Sequence, residues 1–360
     1  MSKLTELLTN KINITPEMEA KARQIYDEVS DLLKKTLAAH DPDIFSQGSF
    51  MLKTIIRPVK GDEYDLDFVC RLNIAKDKIT QADLKKLVGD ALKTKYSTTS
   101  KQLEPKNRCW RINFPNFHVD VLPAIPETDL SAFSEIAGTK LMDGPIAIPD
   151  KELHQWKSSN PRGYAIWFRE QEEREETKRR MVVENTKEPL PKQNVGVSVL
   201  QNAIKVMKYH RDQNFKDNLE NKPISIILTT LAAQYYDGEQ DIVSALYGII
   251  NRIVIAFPSI FEAGQIPNPA LPTENFADKW ADKPERKKAF KEWVQSLHTL
   301  LQNYVLHKDN EIEIKRLLEN SFRTDFGANV NSSGINPQPS TGKGSVGTIT
   351  NPPRQWYDGV

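Results

Sequence analysis

Apolar positions recur along the chain with two different periods, and the change of period divides it. Between residues 15 and 40, Ile25, Val29, Leu32, Leu33 and Leu37 fall on one face of a 3.6-residue repeat, which predicts an amphipathic helix. Thr15-Pro16 supplies an N-cap followed by a first-turn proline. FSQGSF at 45–50 breaks that pattern. MLKTIIRPV at 51–59 reads as extended and β-rich, and Lys60-Gly61-Asp62 as a turn. EYDLDFVCRL at 63–72 alternates like a strand, with Asp65, Asp67 and Val69 on one face and Leu66, Phe68 and Cys70 on the other. A helix capped by Thr80 is predicted over 80–95, and strands over 108–114 and 117–125, with Pro115-Asn116 between them.

Helical periodicity returns at Val197 and persists through 197–212, 223–236, 241–254 and 285–305. Residues 150–190 read as a peripheral extension, in which REQEEREETKRR (169–180) is a solvated helix with acids first and bases last. Beyond Phe326, Gly, Pro, Ser, Asn and Thr dominate, and such a segment buries too little surface to order itself. The organisation expected is a strand-rich unit with its N-terminal helix over 1–190, a helical domain over 191–326 and a flexible tail over 327–360.

Composition narrows the function classes. With 49 basic and 48 acidic residues the net charge is +1, so no global field draws the chain to nucleic acid or to an anionic membrane. A phosphate-binding surface must therefore be local. No apolar run approaching the ~20 residues of a bilayer span and no signal peptide are read in the sequence. Cys70 and Cys109 sit among apolar neighbours and are expected to be buried free thiols. A soluble, cytoplasmic protein is expected.

The candidate chemistry begins with Asp65 and Asp67. Carboxylates at i and i+2 on a strand share a face, with Cβ atoms roughly 7 Å apart. Alone they repel and resist ionisation. A bridging Mg²⁺ suits oxygen ligands on a rigid strand, and two metals stabilise both the attacking and leaving oxygens of a phosphoryl transfer. The plainer alternative is an exposed Asp-x-Asp on an edge strand. Upstream, Gly48 lets a phosphate approach the backbone and Ser49 offers a hydroxyl donor; a simple turn is the alternative. Asp120, between Val119 and Val121, is a charge in an apolar strand and needs a partner. That partner is a metal or a salt bridge to Arg108 or Arg111.

Gly-Ser, then Asp-x-Asp on a strand, then a lone Asp on a later strand resembles the nucleotidyltransferase superfamily of DNA polymerase β. Three segments resemble the cGAS/DncV-like nucleotidyltransferases in particular: SNPRGYAIWF (159–168), KYHRD (208–212) and IPNPALPTENFADKW (266–280). The resemblance spans about residues 40–325. It implies an α+β fold, with a polymerase-β-like core of mixed sheet and helices packed against an all-helical C-terminal domain. Asp65, Asp67 and Asp120 would hold two Mg²⁺ and carry catalysis, and Gln47, Gly48 and Ser49 would bind the donor nucleotide. Lys208 would reach its phosphates, against the alternative of a solvated helix lysine. Ser225 would lie near the donor, against that of an N-terminal turn residue. Arg108 and Arg111 are expected on one strand face, contacting the acceptor or neutralising the acids. Trp110, Phe114 and Phe117 are expected in the core.

The same resemblance implies a synthase that makes cyclic di- or trinucleotide second messengers from nucleoside triphosphates in anti-phage defence, with no obligatory long nucleic acid and no membrane. Transfer of nucleotides to RNA or to a protein, or a catalytically silent relative, are the alternatives. In some relatives the C-terminus is joined to or captured by a protein partner. The segment 354–360, with Trp356 and Tyr357 at the end of a linker, is the corresponding candidate handle.

Overall fold

The computed structural model describes residues 3–59, 64–100, 102–115, 117–128, 144–150, 154–183 and 196–323. The tail and its candidate handle lie outside the described residues.

The first lobe is a sheet backed by two helices. Helix α2 (Pro16–Thr36) starts where the sequence indicates, with the Thr15 hydroxyl accepting from the Met18 amide at 3.2 Å. Its stripe of Ala22, Ile25, Val29 and Leu33 is buried. Helix α4 (Gln81–Lys93) is capped in the same way by Thr80 and buries Leu84, Val88, Ala91 and Leu92. Strands β1 (Asp43–Gln47), β2 (Tyr64–Arg71), β3 (Leu103–Pro105), β4 (Trp110–Phe114) and β5 (Phe117–Pro126) run in the order β1-β2-β5-β4-β3. Only the central β2–β5 pair is parallel; the other pairs on that path are antiparallel. Strand β6 (Ile146–Asp150) extends the sheet from the end of β5, and β7 (Gln155–Ser159) pairs with β6.

Alternation on β2, β4 and β5 separates the two faces. Leu66, Phe68, Cys70, Trp110, Ile112, Val119 and Val121 point under α2 and α4. Each large apolar side chain so buried contributes roughly 1.5–3 kcal/mol. The polar set on the same strands points the other way. Both cysteines are free and buried, and burial pushes Cys70 up to about 12, so neither is a reactive thiolate.

The second lobe centres on α6 (Val199–Asn214), buried on nearly all sides by α7 (Ser225–Tyr235), α8 (Ile242–Ala263), α10 (Pro284–Leu306) and α11 (Glu311–Phe322). Four of these helices sit where periodicity puts them; α11 was not anticipated. Helix α8 is long and apolar enough to cross a membrane by length and composition, which corrects the expectation that no run approaches that length. Here Leu246, Ile249, Ile250 and Ile253 are buried in the helical core.

Packing departs from chain order at two points. The N-terminal turn α1 (Lys3–Leu7) and the π-helical turn after it bury Leu4, Leu7, Leu8 and Ile12 in the helical lobe. Tyr164, Ala165 and Phe168 at the start of α5 (Pro161–Val183) join the same core. Residues 51–59 correct the sequence reading. Gly48–Met51 is a short helical turn (α3), and the chain then runs irregularly to Val59 rather than as a strand. That stretch is held by partners from other segments: Gln201 donates to Leu52 O at 3.1 Å, and Arg57 donates to Asn10 O and Asn13 O at 3.0 Å each. Its apolar residues divide between the two cores, so their β-like composition serves packing instead of a ladder.

Candidate active site

Register brings the candidate residues into one row across the sheet. Gln47 on β1 lies opposite Asp67 on β2, Asp67 opposite Asp120 on β5, and Asp120 opposite Arg111 on β4. Directly paired residues share a face, so three strands deliver two carboxylates and a guanidinium side by side. Asp65, two residues before Asp67, projects from the same face.

Asp67 is the most demanding member. It is 2% exposed, and neither carboxylate oxygen has a hydrogen-bond partner among the described residues. Burial, then the charges of Asp120 and Asp65, raise its pKa well above the usual carboxylate range; Arg111 and Lys208 offset part of this. Buried polar atoms are almost always satisfied, so this pair of oxygens calls for a cation. The donor set of hard carboxylate oxygens fits a divalent metal ion.

Asp120 is answered differently. Arg111 Nε donates to Oδ1 at 2.8 Å and Nη2 to Oδ2 at 2.7 Å, a two-pronged pairing, while Nη2 also lies 3.8 Å from Asp65. Burial works against the Arg111 charge, but the Asp120 hydrogen bonds and charge outweigh it and raise its pKa. The salt-bridge alternative for Asp120 is therefore realised, within the same row as Asp67. Arg108 does not share the Arg111 face as expected. It precedes β4, and its guanidinium pairs with buried Asp150 at 2.7 Å.

Gly48 follows β1 with φ of +61°, where glycine is favoured. A Cβ placed there would stand 2.7 Å from Asp67 Oδ2, so the turn and the carboxylate interlock. Ser49 is the next residue of the same turn, and its carbonyl accepts from the Thr54 amide at 2.8 Å.

From the helical lobe, Lys208 on α6 donates to Thr54 O at 3.2 Å and Thr54 Oγ1 at 3.0 Å, so it meets the segment that follows the Gly-Ser turn. Burial, with Arg211 nearby, lowers it to about 7. It is 3% exposed, not a solvated helix lysine. The rest of KYHRD is packing: His210 accepts from the Trp293 indole at 3.0 Å, and Arg211 pairs with Asp212 at 2.8 Å. Ser225 opens α7 and its Oγ accepts from Arg211 at 2.9 Å, as a helix-start residue. Its neighbour Ile226 lines a narrow cavity of about 50 Å³ with Gln47, Gly48, Tyr164, Glu274 and Phe276.

That cavity joins residues the sequence did not single out individually. Asn160 donates to Ala270 O at 3.1 Å, tying the start of α5 to a hairpin of β8 (Pro267–Asn268) and β9 (Leu271–Asn275). Asn268 donates to Glu274 at 2.6 Å, and burial raises Glu274 to about 7. Two segments a hundred residues apart thus form one wall, and only their shared family resemblance pointed to them. Trp110, Phe114 and Phe117 are core or core-edge residues as expected, with Phe114 stacked on Phe117 at 4.9 Å.

Comparison with known proteins fits this geometry. The model of the cyclic GMP-AMP synthase DncV-like nucleotidyltransferase domain matches residues 42–123, which include the Gly-Ser turn and all three aspartates. A c-di-GMP synthase of Roseivirga ehrenbergii is 32% identical over 281 residues, covering 77% of this chain and 70% of that protein. The chain belongs to the cGAS/DncV-like nucleotidyltransferases. The cyclic dinucleotide synthase CdnG of Bradyrhizobium diazoefficiens is 23% identical over 349 residues, covering 91% of this chain and 80% of its own. The structure of that CdnG in complex with GTP superposes with a TM-score of 0.67 at 19% identity, over 89% of this chain and 97% of the other. Vibrio cholerae DncV, in complex with a linear intermediate, gives 0.58 at 17% identity over 89% and 94%. The α+β fold, with its polymerase-β-like core and helical C-terminal region, is that of the family. Cyclic GMP-AMP synthase DncV-like nucleotidyltransferases are metal-dependent enzymes, and Asp67 carries the matching vacancy of hydrogen bonds.

Proposed function

We propose that this enzyme joins nucleoside triphosphates into a cyclic di- or trinucleotide, releasing pyrophosphate, and that it does so as the signal-producing half of an anti-phage system. The observation that carries the chemistry is the buried Asp67 carboxylate, unpartnered among the described residues and in register with Asp120. Asp65, Asp67 and Asp120 would hold two Mg²⁺. Bound there, the ions would polarise the donor's α-phosphate and offset charge on the attacking and leaving oxygens.

The chain's own residues supply the rest. Gly48, free of a Cβ beside Asp67, lets the phosphates approach the backbone, and Ser49 donates a hydroxyl to them. Gln47, buried opposite Asp67, borders the same space. Lys208, with pKa near 7, gains its proton when an anionic triphosphate arrives and holds it as a compact charge. Ser225, next to Ile226 in the lining of the narrow cavity, would lie near the donor nucleotide. Arg111 holds the Asp120 carboxylate in place through two hydrogen bonds, and Asp120 would accept the proton of the attacking ribose hydroxyl.

Identity of 32% to a c-di-GMP synthase makes GTP the first substrate to test. Triphosphate substrates and two buried free thiols support a cytoplasmic enzyme. The C-terminal residues 354–360 are proposed as the handle for a protein partner; a relative, CdnC of Escherichia coli MS115-1, is known in complex with a HORMA protein. Deleting them is expected to spare basal turnover and abolish partner-dependent activity in cells.

Incubation with labelled triphosphates and Mg²⁺, then phosphatase and chromatography, tests the reaction. A phosphatase-resistant product, absent from the Asp65→Ala/Asp67→Ala variant, is expected. Linear products only, or label on RNA or protein, would replace the cyclase with one of the other transferases.

A further inference from the structure

Residues 52–59 separate the Gly-Ser turn from the aspartate strand in sequence, and they form neither helix nor strand. The spacing between Gly48 and Asp65 thus passes through backbone that no ladder fixes. Lys53 holds φ at +54°, a left-handed conformation that a lysine rarely adopts unless its surroundings impose it.

Two other segments impose this path. Helix α6 presents Gln201, Lys205 and Lys208 at successive turns of one face. Gln201 donates to Leu52 O, and Lys208 to both oxygens of Thr54, whose amide in turn donates to Ser49 O. Between them Lys205 donates to Asn13 Oδ1 at 3.1 Å, which brings the N-terminal stretch to the same face. That stretch is helical over residues 3–12, and Leu4, Leu7, Leu8 and Ile12 anchor it in the helical core at no more than 3% exposure.

The last carbonyls of a helix lack partners within it and carry partial negative charge. Arg57 answers them as a group. Its amide donates to Ile12 O at 2.6 Å, its Nε to Asn13 O and its Nη1 to Asn10 O at 3.0 Å each. The connection between the two halves of the Gly-Ser and Asp-x-Asp motif is therefore pinned to the helical lobe at both ends. Helix α6 holds its start, and the N-terminal stretch holds its end through Arg57.

We infer that, with the Gly-Ser turn holding the donor triphosphate as proposed above, Arg57 is a positioning residue for that turn. By gripping the carbonyl end of the N-terminal stretch it fixes the path of residues 52–59. Through Thr54 and Ser49 that path sets where the turn stands relative to the aspartates. The action is indirect, and no contact with substrate is assigned to Arg57. Loss of the grip leaves the turn to sample other positions, so the outer phosphates are held less well while the remainder of the nucleotide is bound as before.

The test uses the full chain and nucleoside triphosphates with a methylene bridge between the α- and β-phosphates, which cannot release pyrophosphate. Whichever of the four common bases the parent binds most tightly is compared with its own monophosphate, which lacks the outer phosphates. Arg57→Met is expected to weaken the triphosphate analogue about tenfold and the monophosphate less than about twofold. Arg57→Lys keeps the charge but spans fewer of the carbonyls, and should fall between. Both variants should melt within a few degrees of the parent. Unchanged triphosphate affinity in Arg57→Met would show that the turn is set elsewhere. Equal weakening of both nucleotides would mark a general structural loss, and parental binding by Arg57→Lys would mark charge alone. Each of these would overturn the assignment. A parent that bound no triphosphate would overturn the donor-site reading itself, and the role of Arg57 with it.

Discussion

Asp67 on the sheet and Asp212 on α6 are both charged and nearly sealed from water, at 2% and 6% exposure, yet their surroundings differ in kind. Asp212 receives Arg211 at 2.8 Å and Lys222 at 3.3 Å, and the cluster continues through Ser225 and the Pro223 carbonyl. Asp67 faces two other carboxylates and receives no hydrogen bond among the described residues. Both segments resemble family motifs. Only the tertiary structure shows that one is completed by the chain itself and that the other has no hydrogen-bond partner among the described residues. A buried charge with partners is satisfied within the fold, whereas one without them carries an uncompensated desolvation cost.

The widest separation should come from Asp67→Asn. With Asp67 in the proposed metal-holding role, the change is expected to cut cyclic product by about 10³-fold or more. The melting temperature should hold or rise, because like-charge repulsion is relieved. A large drop in melting temperature would mean that Asp67 is structural, and the contrast would fail. Asp212→Asn should do the reverse: removing one partner of a buried pair costs about 3 kcal/mol of folding stability, read by denaturant unfolding. Full stability in that variant would show the α6 cluster to be dispensable.

Gly48→Ala sharpens the boundary between turn and carboxylate. With φ at +61° and only 2.7 Å to Asp67 Oδ2, the methyl must displace the turn or the carboxylate. Turnover is expected to fall about 100-fold, with about 1 kcal/mol of backbone strain. His210→Phe tests the packing side, since it leaves the Trp293 indole without its acceptor at a cost of about 2 kcal/mol at pH 7. Its pH dependence has a defined sign. Burial lowers His210 to about 3, so between about 6.5 and 3 the unfolded chain takes a proton that the folded chain refuses. Stability from this site is present above 6.5 and lost as pH falls. The gap between parent and variant should therefore narrow from pH 7 to pH 4 in chemical denaturation. The smallest effect is assigned to Lys208→Met, for which KM for the donor triphosphate should rise about tenfold with kcat little changed. An unchanged KM would place Lys208 with the packing residues beside it.

Much of this was legible before folding. Thr15 and Thr80 cap the helices they precede, because a hydroxyl before an apolar repeat is a local signal answered by a local amide. Alternation in β2 placed Asp65 and Asp67 away from Phe68 and Cys70, because the side-chain period of a strand follows from chain geometry alone. Residues 51–59 misled, since their β-rich composition is spent on two different cores rather than on a ladder.

The sequence by itself determined most of the helices, the two faces of β2 and the position of Asp65 and Asp67 on one of them, all of which depend on neighbours within a turn or a strand. Tertiary structure alone decided the register of Gln47, Asp67, Asp120 and Arg111, the separation of Arg108 from that row, and the joining of residues 159–168 to 266–280. It also decided the pinning of residues 52–59 by α6 and Arg57. Those outcomes depend on which strand lies beside which and on what water is excluded, and neither is encoded at any single position.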